Sequence, residues 1–402
     1  MDIEHEYAEH SSWVELSKSA FLNNVNAYRS VMESHVLLGC VLKGNAYGHG
    51  FKESLKVLHD LADLFFVINP IDAFKIRNYE KEHAIPHKRI VVLGAITQNE
   101  IADCAKRFIE VALTDDRWEE DGFFESLQET IKKSKDNYRP LKVHIHIDTG
   151  LGREGILVEH LETVLPMLKK YSHLVHIQGV MSHFSNVEDV TEQDYARDQI
   201  TLLEKAHHII TQTGHFSHTI EKHIAQSAAT FVLPQCRFEI VRTGISLYGL
   251  WPSPETRISA RVVMPELPKL KPVLTWRCKS QYVKQVNAGS FIGYGCTYRA
   301  EHVMRIAVLP VGYFDGYPRQ LSNKAHVLVN GHRCQVLGRV MMNHIVIDIT
   351  NVSTNNDPVV ATLLGTDGRE TVSADQLATW SDTINYEIVT RIGPHLKRVV
   401  LP

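Results

Sequence analysis

Residues 36–50 read VLLGCVLKGNAYGHG, an apolar run that ends at Leu42 and is followed by Lys43 and three glycines. This pattern predicts a buried strand that stops where the glycines begin. A lysine at the end of a buried strand lies at the edge of an apolar environment, which favours its neutral, nucleophilic amine. The glycines let the backbone approach a ligand closely. Taken alone, the segment also fits a solvated lysine after a strand, so its meaning depends on the rest of the chain.

Short apolar runs alternate with longer amphipathic stretches from this segment to about residue 250. The eight runs lie near residues 35–42, 64–68, 89–93, 109–113, 141–147, 174–181, 219–225 and 238–242. Eight strand-and-helix units in about 210 residues match the size of a closed (β/α)8 barrel. The alternative is an open doubly wound sheet, which usually carries a GxGxxG turn after its first strand. No GxGxxG turn follows the first predicted strand of this chain.

The pattern changes after residue 250. Residues 251–272, WPSPETRISARVVMPELPKLKP, are rich in proline and charge and predict a connection rather than an element. Beyond it, short runs separated by turn residues predict strands near 273–286, 305–311, 325–329, 334–337, 344–349 and 358–364. The predicted fold is therefore α/β, with an N-terminal (β/α)8 barrel at 14–250 and a C-terminal mainly-β domain at 251–402. We expect residues 1–13 to join the β domain.

Charge and cysteine usage narrow the functional classes. The 402 residues contain 43 lysines and arginines against 46 aspartates and glutamates, so nucleic acid and anionic membranes are not expected partners. The six cysteines, scattered without CxxC spacing, suit reduced core thiols of a cytoplasmic protein. The N-terminal residues are acidic where a signal peptide is basic, and no run of about 18 apolar residues predicts a membrane span.

Polar residues follow the predicted barrel strands at their C-terminal ends. Lys43 follows the first strand, DTGLGR at 148–153 the fifth, His183 the sixth, Ser227 the seventh and RTGI at 242–245 the eighth. Barrels of this kind place their chemistry at this mouth, and the region near strands seven and eight commonly binds phosphate. Ser227, Gly244 and Ile245 are therefore candidates for a phosphate cradle. A nucleophilic lysine beside a phosphate site points to pyridoxal 5'-phosphate.

The chain resembles the alanine racemase family, whose members are fold-type III pyridoxal phosphate enzymes. The resemblance extends from residues 13–15 to 384–387. It is carried by the order and spacing of KGNAYGHG at 43–50, IDTGLGREG at 147–155, GVMSHF at 179–184, AQSAAT at 225–230, VRTGISLYGL at 241–250, IGYGCTY at 292–298, LPVGYFDGYPR at 309–319 and GRVMMN at 338–343.

This resemblance implies an isomerase that interconverts L-alanine and D-alanine for cell-wall synthesis. Lys43 would bind the cofactor covalently and serve as one acid/base, and Tyr294 from the neighbouring subunit would serve as the second. The active sites of a homodimer would then be composite. Cofactor contacts are implied for Lys43, Tyr47, His183, Ser227, Arg242, Gly244, Ile245 and Tyr386, and substrate contacts for Arg153 and Met342.

Two of these side chains carry chemical requirements. Arg242 would face the cofactor's ring nitrogen and disfavour its protonation, which limits side reactions such as transamination. The phenol of Tyr294 titrates near pH 10 when unperturbed, so cationic neighbours such as Arg153 and His183 would have to lower its pKa. Without the flanking glycines and the resemblance, Tyr294 would be interpreted as a β-strand tyrosine that packs on a neighbouring residue.

Several pocket positions depart from the usual family pattern. His146 stands where many relatives have a lysine carbamylated by carbon dioxide, and histidine cannot form that stable carbamate. The anionic partner of Arg153 would then be missing, or replaced by a bound anion or another carboxylate. Gln226, Met341 and Asn343 also differ from the common residues. These changes leave serine or broad-specificity racemisation as the nearest alternatives to alanine.

Two further interpretations of the sequence place the protein in other functional classes. His144 and His146 form an HxH pattern with Asp148 two residues on, from which a metal hydrolase site could be built. The chain has 23 histidines, so this pattern arises readily by chance. The other reading is a non-catalytic pyridoxal phosphate-binding protein, which would keep Lys43 but lack the opposite-face acid/base. Retention of Tyr294 argues against it.

Overall fold

The computed structural model describes residues 11–133, 139–187, 193–213, 219–264, 266–353 and 358–402. Strand β1 (Ser12–Ser17) belongs to a second sheet, and eight parallel strands follow it along the chain. They are β2 (Leu37–Val41), β3 (Leu64–Val67), β4 (Arg89–Val92), β5 (Glu110–Leu113), β6 (Leu141–His146), β7 (Val175–Met181), β8 (Glu221–His223) and β9 (Ile240–Thr243). Each predicted barrel run overlaps one of these strands, so the barrel prediction is confirmed.

The eight strands form a nearly closed barrel. Their order in the sheet is β8-β7-β6-β5-β4-β3-β2-β9, which leaves β8 and β9 as the two edges. These edges lie close together, because the backbone NH of Arg242 donates to the carbonyl of Ala225 at 2.9 Å. The C-terminal ends of all eight strands therefore meet at one mouth.

Helices alternate with the barrel strands. They are Lys18–Arg29, Phe51–Leu58, Pro70–Glu82, Gln98–Lys106, Phe123–Lys133, Leu161–Lys170, Asp194–Gln212 and Ser227–Val232. Asp194–Gln212 buries Ile200, Leu203, Ala206 and Ile210, a spacing that gives a helix one apolar face.

The prediction that residues 251–272 form only a connection is wrong. A helix spans Pro254–Val263, and Ser253 caps it by accepting a hydrogen bond from the backbone NH of Thr256 at 3.0 Å. Pro254 occupies the first helical position, where a missing NH costs nothing. Thr256, Ser259 and Ala260 form its buried face. The proline and serine that suggested a loop are thus the signals that begin the helix.

The second sheet is mainly antiparallel and contains most of the C-terminal strands. These strands are β10 (Leu274–Lys279), β11 (Tyr282–Val286), β14 (Met304–Leu309), β15 (His326–Val329), β16 (His332–Leu337), β17 (Ile345–Asp348), β18 (Val360–Asp367), β19 (Glu370–Val372) and β20 (Lys397–Leu401), while β12 (Phe291–Ile292) and β13 (Tyr298–Arg299) form a separate pair. The predicted run at 273–286 is two strands, since β11 pairs with β14 whereas β10 pairs with β1 and β18.

Strand β1 pairs with β10 in antiparallel fashion and with β20 in parallel fashion. The beginning of the described chain therefore lies in the sheet of the C-terminal domain. Residues 1–10, which are also predicted to join that domain, lie outside the described residues. Two more helices, Ala374–Ser381 and Asn385–Thr390, lie between β19 and β20.

Two further observations concern the helices and the cysteines of the described chain. Within those residues, none of the helices combines the length and the apolar character that crossing a bilayer requires. All six cysteines are free, five of them buried and Cys296 exposed.

Candidate active site

Lys43 begins an unusual turn directly after β2. The four residues that follow it, Gly44 to Tyr47, have φ values of 62°, 54°, 53° and 53°. Left-handed backbone of this kind costs about 1–2 kcal/mol per residue outside glycine. The Asn45 side chain supports the turn, because its Oδ1 accepts from the NH of Phe51 at 2.8 Å. Strain concentrated beside a half-buried lysine is typical of a functional site.

A helix of the C-terminal domain presses on this turn. A Cβ added to Gly48 would lie 1.8 Å from the carbonyl oxygen of Val389, so only glycine fits. The guanidinium of Arg398 donates to the carbonyl of Gly48 at 2.9 Å. This contact brings Tyr386, in helix Asn385–Thr390, to a ring-centroid distance of 6.2 Å from Tyr47. The two domains together thus shape the entrance beside Lys43.

A polar cradle lies at the ends of β8 and β9. The hydroxyl oxygen of Ser227 accepts hydrogen bonds from the backbone NH groups of Gly244 at 2.9 Å and Ser246 at 3.4 Å. A Cβ on Gly244 would lie 2.3 Å from the hydroxyl oxygen of Tyr47. Glycine therefore keeps this hydroxyl, the serine and the backbone NH groups together. Burial raises the pKa of Tyr47, so its phenol stays neutral and can donate a hydrogen bond.

Arg242 lies within β9, rather than after it, and its guanidinium is held inside the barrel. It donates to the carbonyl oxygens of Ser182 at 2.6 Å, His223 at 2.8 Å and Ile224 at 3.2 Å. Ring nitrogens of His223 and His183 lie 2.7 Å and 3.3 Å from it. Burial lowers the pKa of Arg242 to about 9, which leaves it charged at neutral pH.

One cavity of about 140 Å³ at the barrel mouth gathers nine of the predicted site residues. They are Lys43, Tyr47, Arg153, His183, Ser227, Arg242, Gly244, Ile245 and Tyr386. The same cavity is lined by His146, Glu154 and Gln226. Residues separated by more than 340 positions in the sequence thus face one space.

Burial and nearby positive charges in this cavity favour the neutral forms of its lysine and histidine side chains. Burial lowers the pKa of Lys43, and the nearby charges of Arg153 and Arg242 lower it further. The same combination, again with burial first, holds the pKa of His183 well below its ordinary value. His146 is 2% exposed, and burial together with the two arginines lowers its pKa to about 4. At neutral pH these histidines carry no charge, so His183 adds no positive charge to the site.

The anionic neighbour of Arg153 is the adjacent residue. Its guanidinium lies 3.0 Å from Oε1 of Glu154, and both side chains line the cavity. Sequence patterns gave no sign of this pair, because adjacent residues in a loop have no fixed relative direction. Nδ1 of His146 and Oε1 of Gln226 are buried without a hydrogen-bond partner within the described chain. Both residues line the cavity, so a ligand bound there could satisfy these atoms.

Tyr294 and Met342 do not line this cavity. Tyr294 is 71% exposed and Met342 is 54% exposed, both in the C-terminal domain. Tyr313 and Phe314 are exposed beside them, and the NH of Phe314 donates to the carbonyl of Met342 at 3.0 Å. We call Tyr294, Tyr313, Phe314 and Met342 the exposed face. Within a single chain, the structure does not bring Tyr294 to Lys43.

The HxH pattern does not build a metal site in the described part of the chain. His144 uses its two ring nitrogens on His223 and Glu110, each at 2.9 Å. Across the described ranges, no group of three or more histidines, cysteines, aspartates and glutamates is arranged to hold a metal ion. The geometry thus gives the metal hydrolase reading no support.

Comparison with known proteins shows which family the chain belongs to. Residues 16–252 match the alanine racemase N-terminal domain, and residues 273–400 match the alanine racemase C-terminal domain. The chain belongs to the alanine racemase family. An alanine racemase of Leptospira interrogans is 34% identical over 393 residues, which cover 98% of this chain and 96% of that protein. An alanine racemase of Methylacidiphilum infernorum is 33% identical over 388 residues, which cover 96% of this chain and 92% of that protein.

Solved alanine racemase structures have the same fold. The enzyme from Bacillus anthracis with bound L-Ala-P is 31% identical, with a TM-score of 0.83 over 98% of this chain and 95% of that one. The enzyme from Streptomyces coelicolor is 28% identical, with a TM-score of 0.85 over 97% of this chain and 98% of that one. The predicted family and fold are therefore confirmed.

Proposed function

We propose that this member of the alanine racemase family interconverts L-alanine and D-alanine with pyridoxal 5'-phosphate, by a two-base mechanism. The observation that carries the proposal is the cavity at the barrel mouth. There a lysine of lowered pKa, a buried arginine and a phosphate cradle face one space. The family names of its relatives supply the substrate.

The cavity residues fit the cofactor. The hydroxyl of Ser227 and the neutral phenol of Tyr47 are donors suited to a phosphate group, and the NH groups of Gly244 and Ser246 hold the Ser227 oxygen in place. The missing Cβ of Gly244 keeps these donors close together. Ile245 and Tyr386 would close the phosphate side, and His183 with Arg242 would lie along the ring. The unpartnered Gln226 Oε1 in the same wall is a further polar atom that a bound ligand could satisfy.

The bound cofactor would act as an electron sink for the negative charge left when the substrate's Cα loses a proton. Arg242 would moderate this sink, since a charged guanidinium facing the ring nitrogen opposes its protonation. Its other hydrogen bonds go to carbonyl oxygens and histidine nitrogens, which keeps its charge uncompensated by a carboxylate. A weaker sink favours return of the proton to the Cα over transamination.

Lys43 would exchange the proton on one face of the substrate Cα. Its amine can accept a proton because burial and the charges of Arg153 and Arg242 lower its pKa. The left-handed turn after it, pinned at Gly48 by Val389 and Arg398, fixes the direction of the lysine backbone. A fixed backbone limits the amine to a small region of the cavity.

Racemisation needs a second acid/base on the opposite face, and we assign this role to Tyr294 of a partner subunit. The exposed face that carries Tyr294 contains aromatic and methionine side chains, which are typical of protein interfaces. A homodimer that pairs this face with the cavity mouth of its partner would complete both sites. Met342 on the same face would then contact the substrate, and Arg153 would lie near the phenol.

Arg153 would position the substrate with Glu154 as its anionic partner. This carboxylate takes the place that the carbamate has in many relatives, which His146 cannot form. Because the pair is partly exposed, its electrostatic contribution is modest. We also propose a cytoplasmic location, which the free cysteine thiols support. The domain limits of 14–250 and 251–402 stay a prediction.

A chiral assay of the purified protein tests the proposal. Wild-type protein should be yellow, should absorb visible light through cofactor held on Lys43, and should racemise alanine faster than serine or larger amino acids. Lys43→Ala should lose both the linkage and racemisation, by about 10³-fold or more. Faster turnover of serine would indicate the broad-specificity alternative. Cofactor binding with no racemisation of any amino acid would contradict the proposal.

A further inference from the structure

A chain of polar side chains crosses the interior of the barrel from its N-terminal end to its mouth. Such interiors are normally filled by branched apolar residues. Here Glu110 at the start of β5, His144 in β6, His223 at the end of β8 and Arg242 in β9 follow one another, with exposures of 4%, 0%, 0% and 3%. We call these four residues the lumen relay. A buried polar group costs free energy unless it is hydrogen-bonded, so the relay has a specific geometry to satisfy.

Every step of the lumen relay is within hydrogen-bond distance. Nη1 of Arg242 lies 2.7 Å from Nδ1 of His223. Nε2 of His223 lies 2.9 Å from Nδ1 of His144. Nε2 of His144 lies 2.9 Å from Oε2 of Glu110.

The two ends of the relay determine where its protons lie. A guanidinium only donates, so Nδ1 of His223 must accept and its proton must be on Nε2. That proton points at Nδ1 of His144, which must also accept. His144 then carries its own proton on Nε2 and donates it to Glu110, an acceptor when ionised. Both histidines are neutral, and each has one permitted tautomer.

Glu110, at the acidic end of the lumen relay, is held in its ionised form. Burial opposes ionisation of Glu110, but the hydrogen bonds from His144 and Arg89 outweigh it and hold the pKa far below its usual range. Arg89 donates to both Glu110 oxygens, from Nε at 2.9 Å and from Nη2 at 2.8 Å. The same arginine binds Glu221 through two contacts of 2.8 Å. Glu221 thus shares Arg89 but does not touch the lumen relay.

Gly179 on β7 makes room for the relay. A Cβ at this position would lie 2.6 Å from Nδ1 of His144 and 2.7 Å from the carbonyl oxygen of Glu221. Any larger residue would displace the His144 ring from the line between His223 and Glu110. The neighbouring backbone is thus shaped around the histidine.

We propose that Glu110 is a positioning residue for Arg242, acting through His144 and His223 from the opposite end of the barrel. With the carboxylate present, the nitrogen of His223 that faces Arg242 is always an acceptor. Without it, His144 can carry its proton on Nδ1, His223 can respond by carrying its own on Nδ1, and two donors would then face each other at Arg242. The guanidinium would lose its fixed position at the cavity. The consequence for the cofactor rests on the proposed function, whereas the proton positions do not.

The test compares Glu110→Gln with Glu221→Gln in the holoenzyme. Both variants remove one carboxylate from Arg89, but only the first changes the acceptor of His144. The glutamine amide has one acceptor oxygen where the carboxylate has two, so it cannot serve Arg89 Nε and His144 together. Nitrogen-15 NMR of labelled histidines, assigned with His144→Gln and His223→Gln, reports which ring nitrogen carries the proton.

Wild-type protein and Glu221→Gln should each show protons only on Nε2 of His144 and His223. Glu110→Gln should add a population with the proton on Nδ1. The same single tautomer in Glu110→Gln, or Nδ1 protonation in the wild type, would overturn the proposal. If Glu110→Gln does not fold, Glu110→Asp keeps the charge but draws the acceptor back by one methylene, and the same two outcomes apply.

A second measurement follows the consequence at the cavity. The number of racemisation events per transamination event, read from loss of the visible absorbance during turnover, should fall about 10- to 100-fold in Glu110→Gln. It should change less than about twofold in Glu221→Gln. Equal falls in both variants would refute positioning through the relay. A wild-type protein that neither binds the cofactor nor racemises alanine would refute the proposed function instead, while the NMR result would still decide the proton positions.

Discussion

The cavity at the barrel mouth and the exposed face of the C-terminal domain differ in how completely one chain builds them. In the cavity, Arg242 makes hydrogen bonds on both terminal nitrogens and Ser227 accepts two backbone NH groups, so the walls hold one another in place. On the exposed face, Tyr294 projects with 71% of its surface accessible. A single chain thus completes the walls of the cavity, whereas Tyr294, the proposed second acid/base, lies outside them.

Removing the hydroxyl of Tyr294 should have the largest effect. Tyr294→Phe should lower kcat/KM for racemisation by about 10²- to 10⁴-fold in both directions, since general acid/base groups contribute in that range. Because the substitution removes one hydroxyl group and no apolar surface, the melting temperature should hardly change. Tyr282→Phe, another exposed tyrosine of the same domain at 65%, is the matched control and should keep wild-type rates. Equal rates in both variants would remove Tyr294 from the mechanism.

Acid should weaken the cavity more than the exposed face. The pKa of His146 is lowered to about 4, below its unfolded value, so the unfolded chain takes up this proton at higher pH than the folded chain. Its contribution to stability is complete above about pH 6.5 and is lost as the pH falls toward 4. In His146→Gln, thermal unfolding between pH 4 and 7 should depend less on pH than in the wild type. An unchanged pH dependence would show that His146 titrates normally in the folded state.

The Arg153–Glu154 pair should have a smaller effect. Glu154→Gln should raise the KM for alanine by up to about fivefold with little change in kcat, because an exposed ion pair contributes at most about 1 kcal/mol. Asp194→Asn removes the partner of Arg197, a more exposed pair outside the cavity, and serves as the control. If both substitutions leave KM unchanged, Glu154 does not orient Arg153.

The smallest expected effect concerns carbon dioxide. Wild-type activity should not depend on it, because His146 cannot form a stable carbamate. His146→Lys should gain a rate that rises with bicarbonate concentration, since a buried amine of lowered pKa can react with carbon dioxide. Carbon dioxide dependence in the wild type would mean that another lysine supplies the carbamate.

Sequence patterns predicted the cavity because barrel topology brings distant residues together. Lys43, Ser227 and Arg242 each lie at or near the C-terminal end of an apolar run, and parallel strands send those ends to one mouth. The family resemblance added Tyr386, which no periodicity would have placed there. Its position depends on the close backbone approach of Gly48 and Val389.

Other features could not be predicted in this way. Sequence patterns do not reveal the helix Pro254–Val263, because proline and serine are common in loops as well as in the cap and first turn of a helix. The contact between Glu110 and His144 depends on which side chains meet across the barrel, and strand periodicity gives only the face on which each lies. Apolar runs therefore indicate where strands lie but not which polar side chains pair inside.

Subunit complementation decides whether the cavity and the exposed face of two chains form one site. Lys43→Ala and Tyr294→Phe proteins are assayed for racemisation separately, then mixed in equal amounts, mildly dissociated and reassociated. With random exchange, half of the dimers are mixed and each has one intact site of two, so about a quarter of wild-type activity should return. If mixed dimers form but activity stays at the level of the separate variants, Tyr294 does not act across the interface, and the composite site must be rejected.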